Sequence, residues 1–156
     1  MAEWMKPRGT RAERMLWWAA VFYAVAFLLH TGDHLRRGLG VETGQVLVLG
    51  SASAVLQVFA IGAVFARHRL AAVLAAATGF PDAVGITAVH MLPQWSSFSD
   101  AFPGAHGTGV TAFSWFAAGA EIVGALLFGL AGVYVVRSRR GDLRTDGLTV
   151  RSPGLA

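Results

Sequence analysis

The chain contains no cysteine and few charged residues, and each shortage excludes a class of protein. The absence of cysteine among the 156 residues excludes disulfides, iron–sulfur clusters, covalently attached c-type haem and zinc sites built from thiolates. Charged residues make up only 14% of the chain, whereas soluble domains carry roughly a quarter. Hydrophobic residues make up 54%, so the composition is that of a membrane protein and not of a soluble domain.

The charges that remain are mostly positive, and they lie at the ends of apolar runs. The formal net charge of +4 would by itself be compatible with nucleic-acid binding. The arginines form no basic face interleaved with aromatic residues, however, so we expect no nucleic-acid partner. Arginine at the ends of apolar runs is typical of membrane-spanning helices, and we expect the lipid bilayer as the main partner. The preference for Ala, Gly, Val and Arg over Ile and Lys is typical of GC-rich bacterial genomes.

Four apolar runs, separated by short polar segments, predict an all-α integral membrane protein. Each run has about the 20 residues that a helix needs to cross the hydrocarbon core. We predict an up-down-up-down four-helix bundle over residues 15–136, after a basic cytoplasmic N-terminus at 1–14 and before a disordered basic cytoplasmic tail at 137–156. The predicted helices cover about residues 15–35, 43–66, 70–92 and 110–136. Pro81 and Asp82 interrupt the third, where we expect a bend.

Lysine and arginine are distributed unevenly between the two ends of the predicted helices. Four lie in the N-terminal segment, two in the turn at 67–69 and five in the tail. Only two lie in the loop at 33–42, and none lies in the loop at 93–109. Because positive residues concentrate in the cytoplasmic segments of membrane proteins, this asymmetry predicts that both termini face the cytoplasm. The predicted location is the plasma (inner) membrane, which the chain crosses several times.

The segment HTGDH places three polar residues at the outer end of the first predicted helix. His30, Asp33 and His34 stand at i, i+3 and i+4, a spacing that predicts one shared face. His90 lies at the outer end of the third helix, at a similar depth. Imidazole binds iron, zinc and copper, and carboxylates complete many such ligand sets. The four residues are therefore predicted metal ligands, with His30 and His90 as the axial pair if the cofactor is b-type haem.

A competing interpretation applies to some of these outer residues. Asp33 and His34 could simply cap the first helix at the level of the lipid headgroups, where water is plentiful. His106, in the outer loop, is interpreted as solvated. His30 and His90 are harder to explain in this way, because both lie within apolar runs.

Two carboxyl groups lie deeper in the apolar runs. Asp82 and Glu121 each lie about ten residues, or roughly 15 Å, from the outer end of their helix, near the bilayer midplane. Small residues flank both of them, as they flank Gln57, which indicates positions that face other helices. We predict that Asp82 and Glu121 approach each other and share a proton. The competing interpretation is structural, with both carboxyls bonded to Gln57 or Thr78 and holding the helices together.

Three functions fit this pattern. The leading hypothesis is a metal ion (iron, zinc or copper) or b-type haem in the outer half of the bundle, a site suited to redox chemistry. The alternative is a metal-free enzyme in which Asp82 and Glu121 act as acid and base on a hydrophobic substrate. The third is a non-catalytic accessory subunit, docked on a membrane-protein partner or on a second copy of the chain through small-residue patches and the basic tail.

The charge asymmetry gives a prediction about orientation in the membrane. A reporter enzyme fused within the 93–109 loop should report an extracytoplasmic location, because that loop carries no lysine or arginine. The same reporter fused within the 67–69 turn should report a cytoplasmic location and serves as the control. A cytoplasmic signal from the 93–109 fusion would show that the orientation is wrong.

Overall fold

The computed structural model describes residues 9–38, 40, 42–105 and 108–149, and within them the regular structure is entirely helical. Helix α1 spans Arg11–Arg37, α2 Gly44–Phe65, α3 Ala71–Ile86 and α4 Ala112–Thr149. A π-helical segment, Thr87–Met91, directly follows α3. The four helices, with α3 taken together with the π-helical segment, are long and apolar enough to cross a membrane. The prediction of an all-helical protein with four membrane-spanning helices is confirmed at this level.

Local sequence determines where the first two helices begin. Thr10 Oγ1 accepts a hydrogen bond from the Glu13 amide at 3.2 Å, and Glu13 Oε2 accepts one from the Thr10 amide at 3.1 Å, which together form a capping box. At α2, Thr43 Oγ1 accepts from the Val46 amide at 3.2 Å. These side chains satisfy amides that have no partner within the first turn of a helix. Helix α1 therefore begins at Arg11, four residues before the predicted start.

Helix α3 passes through Pro81 as regular helix, and its irregular part lies further along the chain. The sequence predicts an interruption at Pro81 and Asp82, but the α-helix continues to Ile86. The π-helical segment begins at Thr87, whose hydroxyl donates to the Ala83 carbonyl at 2.7 Å. A π-helical turn holds more residues than an α-helical turn, so it changes the direction of the side chains in it. His90 lies in this segment.

Helix α4 extends past its predicted end. The sequence predicts a disordered tail from residue 137, whereas the helix continues to Thr149. Arg139 contacts two other parts of the chain, since it donates to Glu13 Oε1 at 3.0 Å and to the Arg69 carbonyl at 3.4 Å. These contacts hold the start of the predicted tail against α1 and the turn before α3. The rest of the predicted tail, residues 150–156, and residues 1–8 of the predicted N-terminal segment lie outside the described residues.

Helix α4 is the central element of the packing. It packs extensively against α3 and α1, while α2 packs mainly against α3 and only slightly against α1. A Cβ added to Gly79 of α3 would lie 2.4 Å from the Ala125 carbonyl oxygen and 2.8 Å from the Gly129 amide nitrogen of α4. Small residues allow such close approach between membrane helices. Gly79 and Ala125 are among the small residues that flank Asp82 and Glu121 and predict packing faces, whereas a Cβ added to Gly85, which also flanks Asp82, would meet nothing within 4 Å.

The outer surface of the bundle is apolar. Phe59 on α2 is 72% exposed and Val84 on α3 is 70% exposed, and many other large hydrophobic side chains are exposed beside them. In water such a surface would cause aggregation, whereas in a bilayer it contacts lipid chains. The distribution of apolar side chains therefore fits a multi-pass membrane protein.

The contact between α3 and α4 leads to a prediction about stability. Gly79→Ala should lower the free energy of unfolding by about 1–3 kcal/mol, because its methyl group meets backbone atoms of α4 that cannot move aside. Gly85→Ala, on the same helix but with open space around it, is the matched control and should leave stability unchanged or slightly raised. Thermal unfolding in mild detergent measures both. Equal melting temperatures for the two variants would contradict this account of the interface.

Candidate metal centre

Three histidine rings from two helices come together at one end of the bundle. His30 and His34 lie one turn apart on α1, with ring centroids 4.6 Å apart. His90, from the π-helical segment, lies 4.9 Å from His30 and 5.3 Å from His34 between centroids. One ring nitrogen from each of the three lies within 4.8 Å of the others. Three of the four residues predicted as metal ligands are thus brought together.

Each of the three imidazoles uses its Nδ1 atom to contact an oxygen atom of another segment. The contacts are His30 with Glu121 Oε2 at 2.5 Å, His34 with Glu42 Oε1, and His90 with the Asp100 carbonyl oxygen at 3.0 Å. Carbonyls and ionised carboxylates accept hydrogen bonds, so His90 donates from Nδ1, and His30 and His34 can do the same and keep the lone pair on Nε2. Histidines that bind metals in proteins are usually held in this way, with the second nitrogen bonded to an oxygen atom.

The free nitrogen of His30 is the most informative atom of the cluster. His30 is only 6% exposed, and its Nε2 is buried without a hydrogen-bond partner. A buried polar atom without a partner costs free energy, and few are found in native proteins. A ligand bound at this nitrogen would remove that cost.

Asp33 lies away from the three histidines. Its Oδ1 accepts hydrogen bonds from Arg36 Nε at 3.0 Å and from Ser114 Oγ on α4 at 3.1 Å. Successive residues of an α-helix are rotated by about 100°, so positions i+3 and i+4 diverge to opposite sides of position i. Relative to His30, Asp33 therefore turns toward α4, while His34 turns toward Glu42. The side chains that could hold an ion together are therefore His30, His34 and His90. The predicted ligand set also included Asp33.

Two acidic residues of the site were absent from the predicted set. Glu42 immediately precedes the N-cap of α2, and Asp100 lies in the loop between the π-helical segment and α4. With His34 they form a second group of side chains whose ligand atoms lie within 4.8 Å of one another. Their position at the same predicted outer end as the histidines was a usable signal, but the loop paths that bring them inward have no signature in the sequence.

The loop after the π-helical segment is fastened to α1 by a buried ion pair. Arg37 donates from both terminal nitrogens to the two carboxylate oxygens of Asp100, each at 2.6 Å. The Asp100 amide donates to the Val89 carbonyl at 3.0 Å, and the Phe102 amide donates to the His90 carbonyl at 2.9 Å. Burial raises the pKa of Asp100, but hydrogen bonds from His90 and Arg37 lower it by more, so its pKa lies below the usual range. The Asp100 carboxylate is therefore charged at neutral pH. The hydrogen bonds of the loop with Val89 and His90 hold it over the His90 side chain.

A second polar cluster lies deeper in the bundle, around Asp82. Tyr23 Oη on α1 donates to Asp82 Oδ2 at 2.6 Å. From α2, Ser53 Oγ and Gln57 Nε2 donate to Asp82 Oδ1 at 2.7 Å and 2.6 Å. These bonds join three helices and satisfy both carboxyl oxygens. Gln57 Oε1, in contrast, is buried without a partner.

Asp82 and Glu121, predicted to share a proton, both lie beside Gln57, and their other hydrogen-bond partners differ. Asp82 is bonded to Tyr23, Ser53 and Gln57, while Glu121 is bonded to His30. Both acids do line one cavity of about 400 Å³, together with the three histidines and Gln57. The predicted bond between Asp82 and Gln57 is present, whereas Thr78 only lines the same cavity.

The remaining two histidines lie elsewhere in the chain. His106 lies outside the described residues. His68 lies in the turn between α2 and α3, where its Nδ1 accepts a hydrogen bond from the Leu70 amide at 3.3 Å. This turn is at the opposite end of α3 from His90.

Comparison with known proteins does not identify the function of this site. The chain matches no protein-family model, and neither a curated protein nor a solved structure matches it. Any function must therefore be inferred from the site itself.

The ion pair between Arg37 and Asp100 leads to a prediction that compares a buried ion pair with an exposed one. Arg37→Met should lower the free energy of unfolding by about 3–5 kcal/mol, because it leaves the buried Asp100 carboxylate without its main partner. Arg139→Met breaks the exposed pair with Glu13 and should cost no more than about 1 kcal/mol. Denaturant titration in detergent measures both.

A further variant tests whether the loss comes from the unpaired charge. Combining Arg37→Met with Asp100→Asn should regain part of the lost stability, because the uncompensated carboxylate is then removed. Equal losses in Arg37→Met and Arg139→Met would argue against a buried ion pair at the loop.

Proposed function

We propose that this is a multi-pass protein of the plasma (inner) membrane that binds one transition-metal ion in the outer half of its four-helix bundle. His30, His34 and His90 would be the ligands, each binding through Nε2. The ion would be zinc, copper or iron, all of which suit imidazole. The up-down-up-down topology and the cytoplasmic location of both termini belong to the proposal, and the distribution of lysine and arginine supports them.

The observation that carries the proposal is the shared hydrogen-bonding pattern of the three rings. All three have Nδ1 engaged with an oxygen atom, and His30 Nε2 is buried without a partner. Simple helix capping at the membrane surface would not require three converging rings with the same nitrogen free. The pattern is the one expected of ligands held in place by a second layer of residues.

A single ion fits these residues better than haem. Two axial imidazoles bind haem iron from opposite faces, with the porphyrin plane between them. The rings of His30 and His90 are 4.9 Å apart between centroids, and His34 contacts both. A third ring so close to both leaves little space for a porphyrin, whereas three rings around one ion is a common arrangement.

The residues around the ion would have distinct tasks. Glu121 and Glu42 would fix the orientation of His30 and His34 and make their rings better ligands. The loop that carries Asp100 would do the same for His90 and limit the access of water. Three protein ligands leave a position for water or substrate. The bound ion would supply Lewis-acid chemistry or, if it is copper or iron, redox chemistry.

The second candidate function is acid–base catalysis without a metal. It is favoured by the cavity, which is lined by both Asp82 and Glu121 and could hold a hydrophobic substrate between them. The hydrogen bonds of the two acids argue for different roles, since Asp82 is bonded on both oxygens and Glu121 is bonded to His30. Glu121 would then act through His30.

Metal content of the purified protein tests the proposal. We expect about one zinc, copper or iron ion per chain after purification in mild detergent without chelators, measured by elemental analysis. The double substitution His30→Ala, His90→Ala should abolish binding, whereas His68→Ala, in the turn at the far end of α3, should not affect it. Glu121→Gln should keep the stoichiometry but weaken binding by about 10–100-fold, because the ring of His30 is less firmly held.

Two results would overturn the metal proposal. One is a wild-type protein that stays clearly below one ion per chain after incubation with each of the three metals. The other is unchanged binding in the double histidine variant. In the first case acid–base chemistry by Asp82 and Glu121 becomes the leading candidate.

A further inference from the structure

The cavity that contains the candidate metal centre extends well beyond it. Its volume is about 400 Å³, within the range of small-molecule sites. His90 and Asp82 are eight residues apart on one helix, so the two polar clusters are separated by roughly 12 Å along it. Helix α2 lines the cavity from Val46 to Gln57, with every residue of this stretch except Val48, Ala52 and Val55. The cavity is thus an elongated space with polar groups at both depths.

The mouth of the cavity is apolar. Leu35, Leu49 and Leu56 line it, and each is more than half exposed on the surface of the bundle. Leu35 belongs to α1 and the other two leucines to α2, and these two helices pack against each other only slightly. Because both helices cross the hydrocarbon core in the proposed arrangement, this opening faces lipid chains. A ligand would therefore enter from the bilayer.

Deep in the cavity, one buried acceptor lacks a donor. Gln57 donates its amide nitrogen to Asp82 Oδ1 at 2.6 Å, while its Oε1 is buried without a partner. Gln57 is only 4% exposed and lines the cavity. An amide oxygen accepts hydrogen bonds and cannot donate them. The group that completes this site must therefore be a hydrogen-bond donor.

The charges around the cavity restrict the ligand further. Its described lining contains three acidic residues, Glu42, Asp82 and Glu121, and neither lysine nor arginine. Beside Gln57, a carboxylate or phosphate headgroup would lie next to the carboxyl of Asp82 and would find no cationic side chain. A neutral donor group on an apolar body avoids both problems.

We propose that the cavity binds a neutral lipid-soluble alcohol, which enters between α1 and α2 and donates its hydroxyl hydrogen to Gln57 Oε1. The apolar body of the alcohol lies along the leucines of α2. This inference extends the proposed function, because the alcohol is then the class of substrate presented to the ion. The role of the alcohol as a substrate rests on the proposed metal centre. The binding of the alcohol does not.

Photolabelling in phosphatidylcholine vesicles tests the binding. The probe is a long-chain primary alcohol that carries a diazirine, and labelled peptides are identified by mass spectrometry. We expect labelling of α2 and α3 peptides that line the cavity, and at least tenfold less labelling when excess 1-dodecanol competes. Dodecyl methyl ether has the same chain but no donor, so it should compete much more weakly.

Two pairs of proteins make the test specific. Gly50→Leu places a side chain in open space within the cavity and should abolish competable labelling, whereas Gly62→Leu, on the same helix, exposed and outside the cavity lining, should not. Gln57→Met keeps the volume but removes the acceptor. It should weaken competition by 1-dodecanol about three- to tenfold relative to the wild type and leave competition by the ether unchanged.

The outcomes distinguish this inference from the proposed function. Equal competition by alcohol and ether in the wild type, or equal labelling of Gly50→Leu and Gly62→Leu, would overturn the inference. Metal content is measured on the same samples. If the protein holds its ion but fails both tests, the metal centre stands and the alcohol site is wrong. If it binds the alcohol without metal, the alcohol site stands and the proposed metal function fails.

Discussion

A polar group inside hydrocarbon needs a partner within the protein, because no water is present to take that place. This requirement determines how the four helices fit together. Asp82 has three donors from two neighbouring helices, and Glu121 is bonded to His30; at the end of α1, the buried Arg37 is likewise bonded to Asp100 of the loop. Each of these contacts joins segments that are distant in sequence. Polar side chains thus act as specific connections in a protein whose apolar surfaces are all chemically alike.

The close packing of α3 on α4 supports the same connections from the apolar side. With Gly79 against the backbone of α4, the two helices approach too closely for any side chain to lie between them. Tyr23, fully buried, packs on Phe128 at 5.2 Å between ring centroids while its hydroxyl reaches Asp82. Helices α1, α3 and α4 therefore form a well-packed frame. Helix α2 is attached to it mainly by packing on α3 and by the hydrogen bonds of Ser53 and Gln57.

The sequence predicts this architecture well, because hydropathy and length decide which segments can cross a bilayer. It also predicts that His30, His34 and His90 lie near one another, since depth in the membrane follows from counting residues along each helix. Which side of α1 faces α4 does not follow from such counting, so the hydrogen bonds of Asp33 with Arg36 and Ser114 were not predicted. The roles of Glu42 and Asp100 depend on the paths of loops, and the π-helical segment around His90 has no signal in the sequence that we could identify. The end of α4 differs for a related reason, as composition alone does not reveal the contacts of Arg139.

The pairing of the first helix with the last has a consequence for biosynthesis. Helix α1 packs slightly on α2 and extensively on α4, so its main neighbour leaves the ribosome after the other three helices. Until α4 is inserted, the imidazole of His30 lacks its hydrogen-bond partner Glu121, and Tyr23 lacks its contact with Phe128. The polar centre is consequently completed only when α4 has been inserted. A nascent chain that ends before α4 carries all three histidines but lacks the acid that orients the innermost ring.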